Sequence, residues 1–399
     1  MTGRPALGRR SALAGAAFLM ATSAVGPGFL TQTALFTAQL GASFGFAILV
    51  SVLVDLVAQL SIWRTIAVSG RRAQELANAL LPGLGSGLAA LVGVGGFAFN
   101  IGNVAGAGLG LEVLTGMPVS TGAALSAALA IAIFLVREAG RAMDRFALGM
   151  GFVMVGLTLF VAVASGPPLA EAARRAVWPA EVDVLSIVTI VGGTVGGYIT
   201  FAGAHRLLDA GVTGVAALPA VDRSAATAIG VASLMRILLF LAALGVVSHG
   251  GVLDPGNPAA SVFRLASGEA GYRVFGVVMW AAAVTSVVGS AYTSVSFLTG
   301  LVPSAGRHQA RWIVGFIAAS TVVFLAVGRP VSVLVAVGAL NGLILPVSLG
   351  VMLLATRRPA LVGEYRHPGP LLAAGVVVVA AMALMGGRTL VRELPRLFP

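Results

Sequence analysis

Eleven apolar runs, each near the length needed to cross a bilayer, dominate the sequence. A hydrocarbon core of ~30 Å takes about 20 helical residues. The runs lie near residues 12–37, 44–67, 87–113, 119–136, 145–164, 185–208, 225–248, 274–301, 311–327, 331–355 and 370–387. Lipid offers no partners to backbone amides and carbonyls, so each span must satisfy its own hydrogen bonds as a helix. Only 10% of the 399 residues are charged, and mean hydropathy is +0.99. A soluble fold of this composition would have no polar surface to present to water. The expectation is an all-α membrane protein of about 11 transmembrane helices, forming a single transmembrane domain over residues 1–399.

Cysteine is absent, which excludes disulfides and thiolate chemistry. The basic residues are all arginines, placed singly or in pairs at the ends of the runs, so they report topology and not nucleic-acid binding. With the N-terminus inside, sixteen arginines fall on inner segments and eight on outer ones, leaving Arg236 within the seventh run. That bias predicts a cell (inner) membrane protein with a cytoplasmic N-terminus and an external C-terminus. Arg9-Arg10 before an apolar run is also the opening of a signal peptide, but the run continues past residue 30, and a retained first helix is expected.

Two runs are interrupted. The first contains Gly26-Pro27-Gly28, followed by Phe29 and Thr31-Gln32-Thr33; the sixth contains Gly192-Gly193-Thr194-Val195-Gly196-Gly197-Tyr198. Proline removes an amide donor and clashes with the preceding turn, and glycine weakens the helix on both sides. Unwound backbone at membrane depth persists only where it is buried in protein or lines a cavity. Breaks at matching positions of two halves mark a transporter's binding site, where half-helix N-termini receive anions and freed carbonyls receive cations. Substrate-binding candidates are therefore Gly26, Pro27, Gly28, Phe29, Thr31, Gln32, Thr33, Gly193, Thr194, Gly196, Gly197 and Tyr198, with Asn341 of the tenth run. Gly102, Gly106 and Gly110, four apart in the third run, predict close helix packing.

Gly26-Pro27-Gly28-Phe29-Leu30, Gly41–Phe46, Ser69–Ala77, Gly193-Thr194-Val195 and Leu345-Pro346 stand in the order seen in NRAMP transporters. Over about residues 20–355 the chain resembles that family. The resemblance implies the LeuT-type fold: a 5+5 inverted repeat over 12–164 and 185–355, helices 1 and 6 broken, and an extra helix at 370–387. It also implies secondary transport by alternating access. The departures concern metal. The family's Asp-Pro-Gly-Asn of helix 1 has no counterpart between Thr31 and Leu40. Its helix 6 Met-Pro-His appears as Gly196-Gly197-Tyr198. Its helix 3 acidic pair falls on Asn100 and Asn103, and its helix 10 glutamine near Ile344. A divalent ion needs anionic oxygen, imidazole or sulfur to replace its water. Asp254-Pro255-Gly256-Asn257 spells the metal motif, but between the seventh and eighth runs it is a turn.

Charge inside a bilayer needs a partner or a role. Asp55 and Arg236 are the coupling candidates in mid-span, and they can equally form a fixed pair. Thr285-Ser286 resembles the hydroxyl pair that helps bind sodium in LeuT-type transporters, although such pairs usually bond back to the preceding turn. The histidines at 249, 308 and 367 read as solvated loop residues, and His205 as the inner exit of the sixth run. The expected function is cation-coupled (Na+ or H+) uptake of a small solute, an organic carboxylate in the first instance. The alternative is the family's proton-coupled divalent-metal transport, and a channel or membrane-embedded enzyme comes second. No catalytic constellation, phosphate loop or cofactor motif is present, and no enzyme activity is expected.

Overall fold

The computed structural model describes residues 13–17, 20–21, 23–299 and 302–397. Among these residues the chain is helical almost throughout and forms no strand. Arg4, Arg9 and Arg10, and the last two residues of the run 274–301, lie outside the described residues. The first half-helix, α1, occupies described residues between 13 and 24. There follow α2 (Pro27–Leu40), α3 (Phe44–Ser69), α4 (Ala73–Leu80), α5 (Leu84–Thr115), α6 (Val119–Leu135), α7 (Arg137–Ala164) and α8 (Leu169–Val177). The second part holds α9 (Val184–Val195), α10 (Ile199–Asp209), α11 (Leu218–Ser248), α12 (Pro258–Leu298), α13 (Pro303–Arg307), α14 (Gln309–Val327), α15 (Pro330–Ala355), α16 (Pro359–Val362) and α17 (Gly369–Arg388).

Helix covers all eleven apolar runs within the described residues. Eight segments are long and apolar enough to cross a membrane. A ninth is the pair Leu148–Ala164 and Leu169–Val177, bent by 106°. The difference from eleven has plain causes. Pro27–Ser69 counts once although it contains α2 and α3, α1 is described only in part, and α6 is a shorter apolar helix. Pro167-Pro168 explains the bend, since neither residue can donate to the preceding turn. The eighth span starts earlier than its apolar run. Asn257 accepts a hydrogen bond from the Ala260 amide and Pro258 takes the first helical position, so the helix is nucleated well before residue 274. Gly268 then interrupts it with non-helical backbone.

Two contacts place the broken helices. A Cβ on Gly106 would overlap the ring of Pro27, so only glycine lets α5 approach the first break this closely. Gly192 of α9 lies against the backbone of Gly338 and Gly342 of α15, bringing the sixth span onto the tenth. Gly45, at the start of α3, packs on Ala172 and Ala176 of α8. At its other end, Trp63 donates to the Thr200 carbonyl (2.8 Å) and closes over Gly203 of α10. Arg64 grips Asp222 through both carboxylate oxygens (2.7 and 2.5 Å), and Arg72 bonds Asp209 at 2.6 Å. Two of the segments read as inner, around residues 64–72 and 209–222, therefore meet at one end of the molecule.

Candidate functional site

The first helix breaks at Val25-Gly26. Gly26 is extended (φ −102°, ψ −173°) and caps α2, with Pro27 at the first helical position. The Leu30 amide returns to the Gly26 carbonyl at 3.2 Å, but the amides of Gly28 and Phe29 open the helix and have no intrahelical acceptor. The sixth span breaks at Gly196-Gly197. Gly196 is extended (φ −74°, ψ 163°), Gly197 is left-handed (φ 56°), and α10 restarts behind Tyr198. Both breaks fall where the glycines and proline predict them, and side chains of α2, α5, α12 and α15 surround them.

Gln32 and Asn341 are the polar side chains set against the sixth-span break. Gln32 Nε2 donates to the Leu334 carbonyl (2.7 Å), while Oε1 points at Gly193, 3.1 Å from where a Cβ would stand. Asn341 Nδ2 donates to the carbonyls of Val337 (2.9 Å) and Gly95 (3.2 Å), and its Oδ1 faces Gly197. Both side chains are buried, and both oxygens lack a partner. The Thr31 hydroxyl is likewise buried and unpaired. Tyr198 is buried edge-on against Phe99, ring centroids 5.5 Å apart. Thr33 and Thr194 bond back to the carbonyls of Phe29 (2.7 Å) and Ile190 (2.8 Å) and present no free hydroxyl to the gap.

Of the hydroxyl pair on α12, Thr285 bonds back to Ala281 and Ala282 (2.9 and 3.0 Å). Ser286 instead faces the first break. Asn103 Oδ1, the Ser23 carbonyl and Ser286 Oγ lie 3.7, 4.0 and 4.0 Å from where a side chain on Gly26 would begin. Asn103 also belongs to a chain of neutral hydrogen bonds. It donates to Ser290 (3.4 Å), Ser290 to Asn100 Oδ1 (3.2 Å), and Asn100 Nδ2 to Ser320 (3.0 Å), tying α5, α12 and α14 together. Ser294 and Ser320 lie outside the candidates that the sequence marks. The signal for Ser294 is its spacing, since Ser286, Ser290 and Ser294 recur every four residues on one face of α12.

Asp55 and Arg236 face one another behind the first break, between α3, α9 and α11, within electrostatic range but without a direct ion pair. Arg236 Nη1 donates to the Ile190 carbonyl (3.1 Å), and its guanidinium lies over the Phe29 ring, 4.2 Å from the centroid. Asp55 Oδ2 accepts from Ser51 (3.2 Å); Asp55 Oδ1 and Arg236 Nε and Nη2 have no partner. Asp254 forms the expected turn, accepting from the Gly256 amide, and Asn257 adds a helix cap, accepting from the Ala260 amide. His205 is buried between Phe201 and Phe297 and accepts from the Ala73 amide at 3.2 Å. His367 is half-buried, not solvated, and bonds Tyr365 at 3.1 Å. Burial and the nearby Arg64 push it down to about 4. A cavity of about 660 Å³, lined by Arg72, Asn78, Ser86, Ser296 and Gln309 among others, opens within one helical turn of Ser294.

A family model described as natural resistance-associated macrophage protein-like matches residues 17–392. YcsG of Bacillus subtilis (strain 168), described as an uncharacterized membrane protein, is 56% identical over 391 residues, covering 98% of this chain and 97% of its own. An uncharacterized membrane protein of Haemophilus influenzae is 57% identical over 390 residues, covering 98% of each. A crystal structure of the Eremococcus coleocola manganese transporter, in complex with an aromatic bis-isothiourea substituted compound, aligns with a TM-score of 0.69. Its sequence identity is 15%, over 98% of this chain and 88% of that one. MhsT in complex with L-phenylalanine aligns with a TM-score of 0.60 at 16% identity, over 96% and 100%. At such identities the likeness establishes the fold, a LeuT-type helical bundle, and nothing about cargo.

Proposed function

The chain belongs to the natural resistance-associated macrophage protein-like family, and on that premise we propose that this membrane transporter takes up a small organic carboxylate with a cation, and not a divalent metal ion. The observation that carries the reading is the chemistry of the two breaks. Their lining is backbone, amide and hydroxyl: Gln32 at Gly28 and Gly193, Asn341 at Gly196 and Gly197, and Asn103 with Ser286 at Gly26. Among the described residues, no carboxylate, imidazole or thioether touches the break glycines to replace a divalent ion's water. Among the described residues, no three His, Cys, Asp or Glu side chains gather into a metal-binding group. The opposite charge is better served. The first amides of α2 lie at the break without intrahelical acceptors, a helix N-terminus favours an anion, and Arg236 adds a buried positive charge behind Phe29.

Ser286, Asn103 and the Ser23 carbonyl supply neutral oxygens at the first break, a donor set suited to a monovalent hard cation. This makes sodium the proposed coupling ion, with Ser286 in the role and Thr285 outside it. Asp55 beside Arg236 is the remaining titratable group for proton coupling. In this reading the broken spans rock against the rest of the bundle, the N-terminus lies in the cytoplasm and the 660 Å³ cavity is the inner approach.

Melting of the purified full chain in detergent tests the reading. Small carboxylates in sodium buffer are expected to raise the melting temperature, and Gly28→Val to abolish the shift, while manganese leaves it unchanged. A manganese-dependent shift with no response to any carboxylate contradicts it.

A further inference from the structure

We propose that the carboxylate cargo also carries uncharged, amide-type N–H donors, received by Gln32 Oε1 and Asn341 Oδ1; this rests on the carboxylate reading above. The two side chains are oriented by their own donors. Gln32 Nε2 donates to the Leu334 carbonyl, and Asn341 Nδ2 to two carbonyls, Gly95 and Val337. Flipping either amide would set its oxygen against those carbonyl oxygens. The oxygen of each is therefore the end turned toward the sixth-span break, one at Gly193 before it and the other at Gly197 within it. The side chains are 2% and 0% exposed, and neither oxygen has a partner. The hydroxyls of Thr31 and Ser294 are themselves unpaired and bond neither oxygen. Two fixed acceptors without a donor are costly to bury, and a bound N–H relieves that cost.

The spacing matches a single small molecule. Gly28, whose amide opens α2, lies one turn before Gln32 on the same helix face, and Gln32 Nε2 is 3.4 Å from where a Gly28 Cβ would stand. A carboxylate at the α2 amides thus lies about one helical turn from the first acceptor. Charge selects the kind of N–H. The positive contributions at the site are the α2 N-terminus and Arg236, and the nearest carboxylate, Asp55, faces Arg236 behind Phe29. An ammonium would be buried without a protein counter-charge, whereas an amide N–H needs only an acceptor. The class indicated is an acid with an amide or carboxamide group a few bonds from its carboxylate.

The test compares three probes that share a carboxylate on the intact protein: N-acetylglycine (amide N–H), acetoxyacetate (its ester, no N–H) and glycine (ammonium). Ligand-dependent melting and inhibition of counterflow in sodium-loaded proteoliposomes give the affinities. The amide acid is expected to bind roughly 5- to 100-fold more tightly than the ester. Because N-acetylglycine brings one N–H, at least one of Gln32→Met and Asn341→Leu is expected to lower the affinity of the amide acid more than that of the ester and bring their ratio towards one; a ratio unchanged in both overturns the inference. The pair of variants guards against one of them failing to fold. Equal affinity for amide and ester overturns the N–H inference and leaves the carboxylate reading standing. Preference for glycine over the amide overturns the uncharged class. Binding by none of the three, with stabilisation by manganese, overturns the carboxylate reading and the inference together.

Discussion

Pro27 of the first broken helix rests on Gly106 of α5, so closely that a Cβ on the glycine would overlap the proline ring. Gly106→Leu is therefore expected to displace the first break. Overpacking of this kind costs about 1–3 kcal/mol. Thermal melting should show the loss, and uptake should fall with it. Gly289→Ala, at a glycine with open space around it, is the control and is expected to leave melting nearly unchanged.

Arg236 and Asp55 face each other at full burial. Arg236→Met removes the positive charge that faces buried Asp55 and the donor to the Ile190 carbonyl, and is expected to destabilise by about 1–3 kcal/mol. Asp55→Asn combined with Arg236→Met should recover most of the melting temperature. A double variant no more stable than the single one would show that the two residues act independently.

The hydroxyls of α12 separate two readings of the coupling site. Ser286→Ala is expected to raise the sodium concentration for half-maximal uptake by about 10-fold, the loss of one charge-assisted contact. Thr285→Val should change it little, because that hydroxyl is already bonded to Ala281 and Ala282. Equal effects from both would contradict the assignment.

His367 gives a pH signature outside the membrane. Burial first, and then Arg64, hold its folded ring down to about 4, while an unfolded histidine titrates near about 6.5. Its contribution is thus complete above pH ~6.5 and is lost as pH falls from there towards 4, where the unfolded chain binds the extra proton. Melting temperature measured from pH 8 to pH 4 should fall less steeply in His367→Gln than in the parent chain.

Much of this was legible in the sequence because the bilayer makes length and hydrophobicity decisive. Pro27 and the glycines around it marked one break, and Gly196-Gly197 the other, since local backbone chemistry alone disfavours a helix there. What depended on tertiary contacts was not legible. Nothing in Thr285-Ser286 says which hydroxyl turns back to its own helix and which faces Gly26. Asn341 was a candidate, but its orientation depends on the Gly95 carbonyl, far away in sequence. The start of α12 was missed for another reason: Asn257 and Pro258 nucleate a helix in polar sequence that hydrophobicity does not register. The sequence marks His367 as a solvated loop residue because its cover, Tyr365 beside Arg64 and Asp222, comes from three separate segments.

Counterflow in proteoliposomes containing the full-length protein tests the carboxylate assignment most directly. With sodium on both sides, a radiolabelled small carboxylate is expected to exchange, and Gly28→Val to stop the exchange, while manganese neither enters nor competes. Saturable manganese uptake that survives excess carboxylate and is abolished by mutating Gly196–Tyr198 would contradict it.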